Sequence, residues 1–472
     1  MSLPSLDDIR SVYFIGIGGI GMSAIARYFH ARGVQVSGYD KTPTVLTREL
    51  EEAGIPVHYN EDTAAAPKEV DFVVYTPAVP AGHAELVFYR ENGYAVVKRS
   101  DVLQVITEGS VNICVAGTHG KTTITTMIAH LLRHSGYGCT AFLGGISVNY
   151  DTNYWSTGDS NVCVVEADEY DRSFLKLSPN VAVISSMDPD HLDIYGDEKT
   201  MQDAFVAFGN RIRPGGLLVS KFGLSRTKEI ETSHKLTYSL QNDSATVYAS
   251  DIRTELGSYH IDVHLPGKVI TGLKLNVGGM HNVENAVAAI AVADHLEIEE
   301  DKIREAVAAF RGVKRRFEYI IAPKEQVPGG YVQPVFIDDY AHHPEELRAL
   351  LKSTRHLLPQ RKITVVFQPH LYTRTRDLAE GFADSLSIAD EVILLPIYPA
   401  RELPIEGVSS ELILQKIDRE QKRIVAKEEL VDWMRSYVTN MNKEFGEIII
   451  TAGAGDIDVL VPQLKEIIEN AL

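Results

Sequence analysis

Three cysteines in 472 residues, Cys114, Cys139 and Cys163, are too few and too scattered for a disulfide framework or a thiolate metal site. They sit in apolar or small-residue stretches and read as buried free thiols. Long apolar runs are missing as well. None reaches the ~18 residues a membrane span needs, and Met1 to Arg10 lacks the cationic, apolar start of a secretory signal, so the chain reads as cytoplasmic. Positive charge is scarce: 46 Lys and Arg stand against 64 Asp and Glu, a net charge of -18. That balance repels phosphodiester backbones and anionic lipid, and no basic patch offsets it, which argues against nucleic acid or membrane as partners. There is no internal repeat, low-complexity run or coiled-coil heptad, and nothing in the pattern sets an oligomeric state.

What is present is enough apolar material, 44% of the residues, to bury a large core, in a length that matches about three domains. Strand and helix patterns alternate along the chain, the mark of an α/β protein. Residues 12–40 read strand, glycine turn, helix, strand. Gly16, Gly18 and Gly21 fit the G-x-G-x-x-G dinucleotide fingerprint, and Asp40 ends the second strand where an acid meets a ribose hydroxyl. A strand at 71–76 leads into Thr76, Pro77, Ala78, Val79 and Pro80, and this unit closes near residue 106. Taken alone, the fingerprint points to an NAD-dependent oxidoreductase.

A second glycine turn changes that reading. Val111 to Ala116 is a β-branched run suited to a buried strand, Gly117 and Gly120 allow close backbone approach, and Ile124, Met127, Ile128, Leu131 and Leu132 recur at helical spacing. Ala116-Gly-Thr-His-Gly-Lys-Thr-Thr123 therefore aims the unpaired amides of a helix start at an anion. Lys121 is placed to neutralise the β and γ phosphates of ATP, and the Thr122 hydroxyl to ligate Mg2+. Val115 stands where the full phosphate-loop pattern has glycine; the plain alternative is a strand-turn-helix junction with a solvated lysine.

The strands near 161–165 and 181–186 both end in acid: Glu166, Asp168 and Glu169, then Asp188, Asp190, His191 and Asp193. Carboxyl ends of parallel strands are where open α/β sheets bind ligands. Phosphoryl transfer needs both the cradle and the acids, whereas a nicotinamide enzyme needs neither. His119, His191, His281, His342, His343 and His370 fall in glycine, acid or aromatic clusters, and Arg315, Arg316, Arg374 and Arg376 offer donor forks for phosphate or carboxylate. Structural hydrogen bonding and helix-end charge are the plain alternatives. Residues 221–278 read as antiparallel hairpins, 282–295 and 301–312 as helices, and Pro323 to Gly330 as a linker. Strands follow at 335–338, 363–367, 391–395 and 448–451; the turn from Ala452 to Asp456 either approaches a phosphate or packs helix on strand.

The ordered series Gly16-Ile-Gly-Gly-Ile-Gly-Met-Ser23, Ala116 to Thr123, Glu166-Ala-Asp-Glu169, Asp190-His-Leu-Asp193, His281-Asn-x-x-Asn285, Arg315-Arg-Phe317, Asp339-Tyr-Ala-His-His-Pro344 and Gln368-Pro-His370 through Asp377 resembles the Mur ligase family of peptidoglycan synthesis over nearly the whole chain. The resemblance implies a Rossmann-like amino-terminal domain at 1–106 that binds the UDP part of the substrate. It implies a central P-loop ATPase-type domain at 107–321 and a Rossmann-like carboxyl-terminal α/β domain at 322–472 that takes the amino acid and closes over the site. The implied reaction is ATP-dependent ligation of L-alanine to UDP-N-acetylmuramate through an acyl phosphate. Nearby stands ligation of a recovered tripeptide to the same nucleotide sugar; a nucleotide-sugar sensor without turnover is a third reading.

Residue by residue, the resemblance puts Gly16, Gly18, Gly19 and Gly21 at the diphosphate, with Asp40, Thr76 and Ala78 near the nucleoside. It puts Gly117, Thr118, His119, Gly120, Lys121, Thr122, Thr123, Asn282, Asn285 and Arg315 around ATP, and makes Thr122, Glu166 and His191 metal sites. Tyr340, His342, His370 and Arg374 would meet the amino acid. Lys121, His191, His343 and Arg374 would serve catalysis, His343 by helping to deprotonate the amine. Two departures stand out. Leu371 follows the Pro-His pair where many relatives carry arginine, and 204–210 lacks the lysine that several sister ligases carbamylate, so no carbamate is expected.

Overall fold

The computed structural model describes residues 5–471 apart from 159, 190, 191, 325–331 and 401, and among them the strands form three sheets. The first consists of β1 (Ser11–Ile15), β2 (Gln35–Tyr39), β3 (Val57–His58), β4 (Phe72–Tyr75) and β5 (Val96–Lys98), in the order β3-β2-β1-β4-β5. All its pairings are parallel. Such a sheet is covered on both faces, which is why Val12 and Phe14 on one face and Tyr13 and Val73 on the other are all buried, and the strands read as continuous apolar runs. The order reverses at β1, opening a crevice at its carboxyl end where the Gly16 turn begins.

The second sheet takes β6 (Val111–Ala116), β7 (Thr140–Ser147), β8 (Thr152–Ser156), β9 (Val162–Glu166), β10 (Val181–Ile184), β11 (Leu217–Lys221), β12 (His234–Ser239), β13 (Val247–Glu255), β14 (Ser258–Leu265) and β15 (Lys268–Leu275). Its order is β15-β14-β13-β12-β11-β10-β6-β9-β7-β8. The β7–β8 hairpin, with a register shift between Phe142 and Ser147, has no counterpart in the sequence reading. The expected antiparallel hairpins at 221–278 need correction, because β12 and β13 pair in parallel, Tyr238 opposite Val247. That is possible because the overlap joins only the end of β12 to the start of β13, so the connecting loop need not run the length of a strand. The next two connections, 256–257 and 266–267, are two-residue turns, which join antiparallel strands; Leu256 and Gly257 take φ 47° and 74°, as a hairpin turn requires.

The third sheet holds β16 (Glu318–Ile321), β17 (Val335–Asp339), β18 (Lys362–Phe367), β19 (Glu391–Leu394), β20 (Lys422–Ile424) and β21 (Glu447–Ala452), in the order β16-β17-β21-β18-β19-β20. Only β16 runs antiparallel, along β17. This strand, read from sequence as the tail of the central domain, therefore already belongs to the third sheet. Residues 325–330 of the expected linker lie outside the described residues.

By contacts the chain divides into two compact units: residues to 249 with 263–270 and 284–306, and 250–262 with 271–283 and 307–472. The core of the first runs without a break from Phe14, Phe29 and Phe72 to Phe142, Phe174 and Phe205. The second packs Phe336, Val366 and Ile449 against Met434 and Leu464. Among the described residues no helix is long and apolar enough to cross a membrane.

Candidate active site

β6 runs between β9 and β10, parallel to both, with Val115 opposite Glu166 and Ala116 opposite Ile184, so three carboxyl ends open on one point. The chain leaves β6 through Gly117 and Gly120 into the helix Lys121–His134. Gly120 has φ 83°, which a side chain would strain, and a Cβ on it would lie 2.9 Å from Asn285 Oδ1. At Gly117 a Cβ would meet Ser185 Oγ at 2.2 Å. Hydrogen bonds stitch the turn to the segment after β10. His119 N–H donates to Ser186 Oγ at 2.7 Å, and the Thr118 and Ser186 hydroxyls are 2.8 Å apart.

Lys121 Nζ donates to Gly117 O and to Glu169 Oε1, each at 2.7 Å, and the Thr122 hydroxyl donates to Glu166 Oε1 at 3.2 Å. Glu169 is fully buried, and its other oxygen has no hydrogen-bond partner among the described residues. Burial raises its pKa; the neighbouring Lys121 ammonium pulls the other way. Thr123 is buried in the same helical turn, and Asn282 and Asn285 are buried three residues apart in the helix Met280–His295. Asp190 and His191 lie outside the described residues, so the metal and catalytic roles expected of His191 have no placement here. Among the described residues no three His, Cys, Asp or Glu side chains gather as a metal cage.

In the first glycine turn the amides of Gly16 and Ile17 both donate to Tyr39 O, at 2.8 and 3.0 Å, tying the turn to the end of β2. Asp40 accepts from Gly18 N–H at 2.8 Å and from Thr42 N–H at 3.2 Å. A Cβ on Gly16 would be 2.7 Å from Thr76 Cγ2, and the Ala78 amide reaches Thr76 Oγ1 at 3.5 Å, so the 76–79 turn closes over the glycines. Gly19 precedes the helix Ile20–Ala31, and a Cβ on Gly21 would fall 2.2 Å from Arg99 Nη1.

The second unit gathers its own polar cluster where β17, β18 and β21 end. Arg315 Nη2 donates to Gly453 O at 2.5 Å, Nη1 lies 3.1 Å from Asp458, Nε lies 3.5 Å from Asp338, and the guanidinium sits 5.0 Å from the centre of the Tyr340 ring. Burial lifts Asp338 to about 7 and Asp339 to about 6; Asp339 accepts the amides of Phe317 and Ala341 at 2.6 and 2.7 Å. Tyr340 and His342 meet edge to face, His342 faces His370, and Arg374 Nη1 donates to His370 Nδ1 at 3.3 Å. Burial and then Arg374 lower the His370 pKa. His343 stands beside this cluster as the cap of the helix Pro344–Leu357, its amide donating to Glu346 at 3.1 Å. The glycine turn at 453–455 packs on Gln368, whose Oε1 would lie 2.2 Å from a Cβ on Gly455. Leu371 takes φ 72° with its amide on Tyr398 O at 3.0 Å.

Three family models match in succession: the Mur ligase family catalytic domain at 11–110, the Mur ligase middle domain at 115–293 and the Mur ligase glutamate ligase domain at 315–455. The chain belongs to the Mur ligase family. The UDP-N-acetylmuramate–L-alanine ligases of Porphyromonas gingivalis and Flavobacterium johnsoniae are 47% and 45% identical to it, over 98% and 99% of this chain and 100% and 99% of theirs. The solved structure of the UDP-N-acetylmuramate-alanine ligase MurC from Thermotoga maritima superposes with a TM-score of 0.80 at 30% identity, covering 98% of this chain and all of that one. A murein peptide ligase from Psychrobacter arcticus shares the fold, with a TM-score of 0.64 at 21% identity and coverage of 98% and 99%. This Mur ligase is thus an α/β protein of three family domains.

Three of its polar contacts were not legible beforehand. Glu169 is one of six acids at the two strand ends, and nothing in its spacing says that it, rather than Asp168, reaches Lys121. Ser185 and Ser186 carry no motif. Gly144 lies in the unread hairpin, and a Cβ there would sit 2.0 Å from Glu166 Oε2. Only the glycine pair 144–145 in an otherwise β-branched and aromatic stretch hinted that something approaches this strand closely.

Proposed function

We infer that this Mur ligase joins L-alanine to UDP-N-acetylmuramate at the expense of ATP, through an acyl phosphate, releasing ADP and phosphate in the making of peptidoglycan precursor. The observation that carries the reading is the Lys121 turn with Glu166 and Glu169 around it, in a chain that matches alanine ligases from end to end. ATP-dependent phosphate release with UDP-N-acetylmuramate and a panel of amino acids is the test. Release with L-alanine but not with a murein tripeptide is expected; the reverse preference would overturn the choice of substrate.

In this mechanism the amides of Gly117 to Lys121 and the Lys121 ammonium take the triphosphate, with Thr118, His119, Thr123, Asn282, Asn285 and Arg315 completing the nucleotide contacts. Transfer of a phosphoryl group is promoted mainly by positioning and by cations at the developing charge. Mg2+ fits the paired oxygens of Thr122 and Glu166, 3.2 Å apart, as a hard cation that keeps waters and shares substrate phosphates; His191 is the proposed further ligand. Bound there, it would add positive charge at the transferring phosphoryl group. The muramoyl carboxylate attacks the γ phosphate, the alanine amine attacks the acyl carbon, and phosphate leaves. Tyr340, His342, His370 and Arg374 are the proposed alanine contacts. His343, next to His342, is proposed to take the ammonium proton.

Gly16, Gly18, Gly19 and Gly21 with Asp40, Thr76 and Ala78 are proposed to hold the UDP moiety. Asp40→Ala then unties Gly18 and should weaken UDP-N-acetylmuramate binding about tenfold or more, with ADP binding unchanged, as read by titration calorimetry. Glu169→Gln keeps a hydrogen bond to Lys121 but removes a buried negative charge beside the phosphates. ADP should bind several-fold more tightly while kcat falls, because the lysine is less firmly aimed. Unchanged values of both would remove Glu169 from the site.

Domain boundaries are proposed near 106 and, since β16 joins the third sheet, shortly before Glu318. Three free, buried cysteines suit a reducing compartment, which supports the cytoplasm as the place of work.

A further inference from the structure

Two adjacent acids on one turn each hold a cation. Glu169 holds Lys121 at 2.7 Å, buried, and Asp168 holds Arg99 at 3.5 Å with both side chains partly open to solvent. The first cation serves the γ phosphate. The second lines a cleft in the first unit whose apolar wall includes Ile25, Leu103 and Phe142 and whose charged end is Glu166 and Asp168. Among the described residues lining it, Arg99 is the one cation.

The proposed reaction must bring a substrate carboxylate into this end of the cleft, up to the phosphoryl group beside Glu166. Two protein carboxylates would repel it, and Lys121 is committed to the phosphate. We propose that Arg99 is a specificity-determining residue that binds the carboxylate of the nucleotide sugar, exchanging its loose pairing with Asp168 for a bidentate one. A partly exposed pair at 3.5 Å is weak and readily exchanged, while guanidinium and carboxylate match in a planar fork.

The surroundings suit the task. Arg99 is the first residue of the helix Arg99–Glu108, and that helix start is pinned by Lys176, which bonds to Ser100 Oγ at 3.2 Å and to Asp101. The backbone at the base of the arginine is thereby fixed. The guanidinium's position over Gly21 depends on that residue lacking a Cβ. The third fingerprint glycine thus makes room for the arginine as well as for the diphosphate. Ile25, Leu103 and Phe142 give the same cleft an apolar surface suited to the carbon face of an acylated sugar.

This inference rests on the substrate reading above, and its test separates the two. Calorimetry with three ligands, UDP, UDP-N-acetylglucosamine and UDP-N-acetylmuramate, isolates the diphosphate, the sugar and the lactyl carboxylate. In Arg99→Gln, affinity for UDP-N-acetylmuramate should drop tenfold or more while the other two change less than twofold. Arg99→Lys should recover part of the loss. Unchanged ADP affinity and melting temperature would show that the fold is intact. Equal losses for all three ligands would assign Arg99 to the diphosphate, and no loss for any would leave it a surface ion pair; either overturns the proposal. If the unaltered enzyme failed to bind UDP-N-acetylmuramate at all, the substrate reading itself would fall.

Discussion

Lys121→Ala should lower turnover about a hundredfold or more, the equivalent of ~3 kcal/mol of transition-state stabilisation lost with one phosphoryl-facing cation. UDP-N-acetylmuramate should still bind, since the proposed UDP contacts lie on the first sheet and not on the β6 turn. A second effect follows from the pair. With its ammonium neighbour gone, the buried Glu169 keeps the desolvation that already raises its pKa and loses the main influence opposing it. A carboxyl whose folded pKa exceeds its unfolded one is stabilising while protonated, below the unfolded pKa, and that contribution disappears as pH rises through the folded value. The variant's melting temperature should therefore fall more than that of the unaltered enzyme as pH rises from the ordinary carboxylate range. Ordinary phosphate release by Lys121→Ala would remove the lysine from the mechanism; a parallel pH–stability profile would remove the argument about Glu169.

The other large effect is expected at a residue with no functional group. Gly144 carries its Cα against Glu166, and an added Cβ would lie 2.0 and 2.8 Å from the two carboxylate oxygens and 2.5 Å from the carbon between them. The atoms in the way are the far end of a flexible side chain, so Gly144→Ala should fold, with a melting temperature within a few degrees of the original. The carboxylate, however, must leave Thr122. Loss of one preorganised group at a phosphoryl-transfer site costs about a hundredfold in kcat, and that loss should appear with little change in UDP-N-acetylmuramate affinity. Full activity in the alanine variant would mean that Glu166 does not need the position seen here.

Both predictions turn on residues of unequal legibility. Lys121 stood out at once, because a strand, two glycines and a Lys-Thr helix start form a local pattern whose chemistry is confined to a few neighbours. Gly144 did not. Its meaning lies in a hairpin with a register shift at the Phe142–Ser147 end, and neither strand has the alternation that would have announced it. The carboxyl-terminal cluster lies between these extremes. Tyr340, His342, His370 and Arg374 were grouped through the resemblance, and they do come together. Arg315, proposed for ATP, is held within the second unit by Gly453, Asp458 and Asp338, partners it would exchange on binding a nucleotide. The glycine turn from Ala452 to Asp456, for which a phosphate was one reading, packs on Gln368, because a glycine's missing Cβ admits protein as readily as ligand.

By itself the sequence determined the family, the alternation of strands and helices, and the place of the glycine turns at Gly16 and Gly117, since these depend on periodicity and on chemistry between near neighbours. Tertiary structure alone decided which acid faces which donor of the Lys-Thr turn. Lys121 and Glu169 are 48 residues apart, Thr122 and Glu166 are 44 apart. They meet because β9 was laid next to β6 in parallel register, a choice made by the packing of the whole sheet and by no short stretch of the chain.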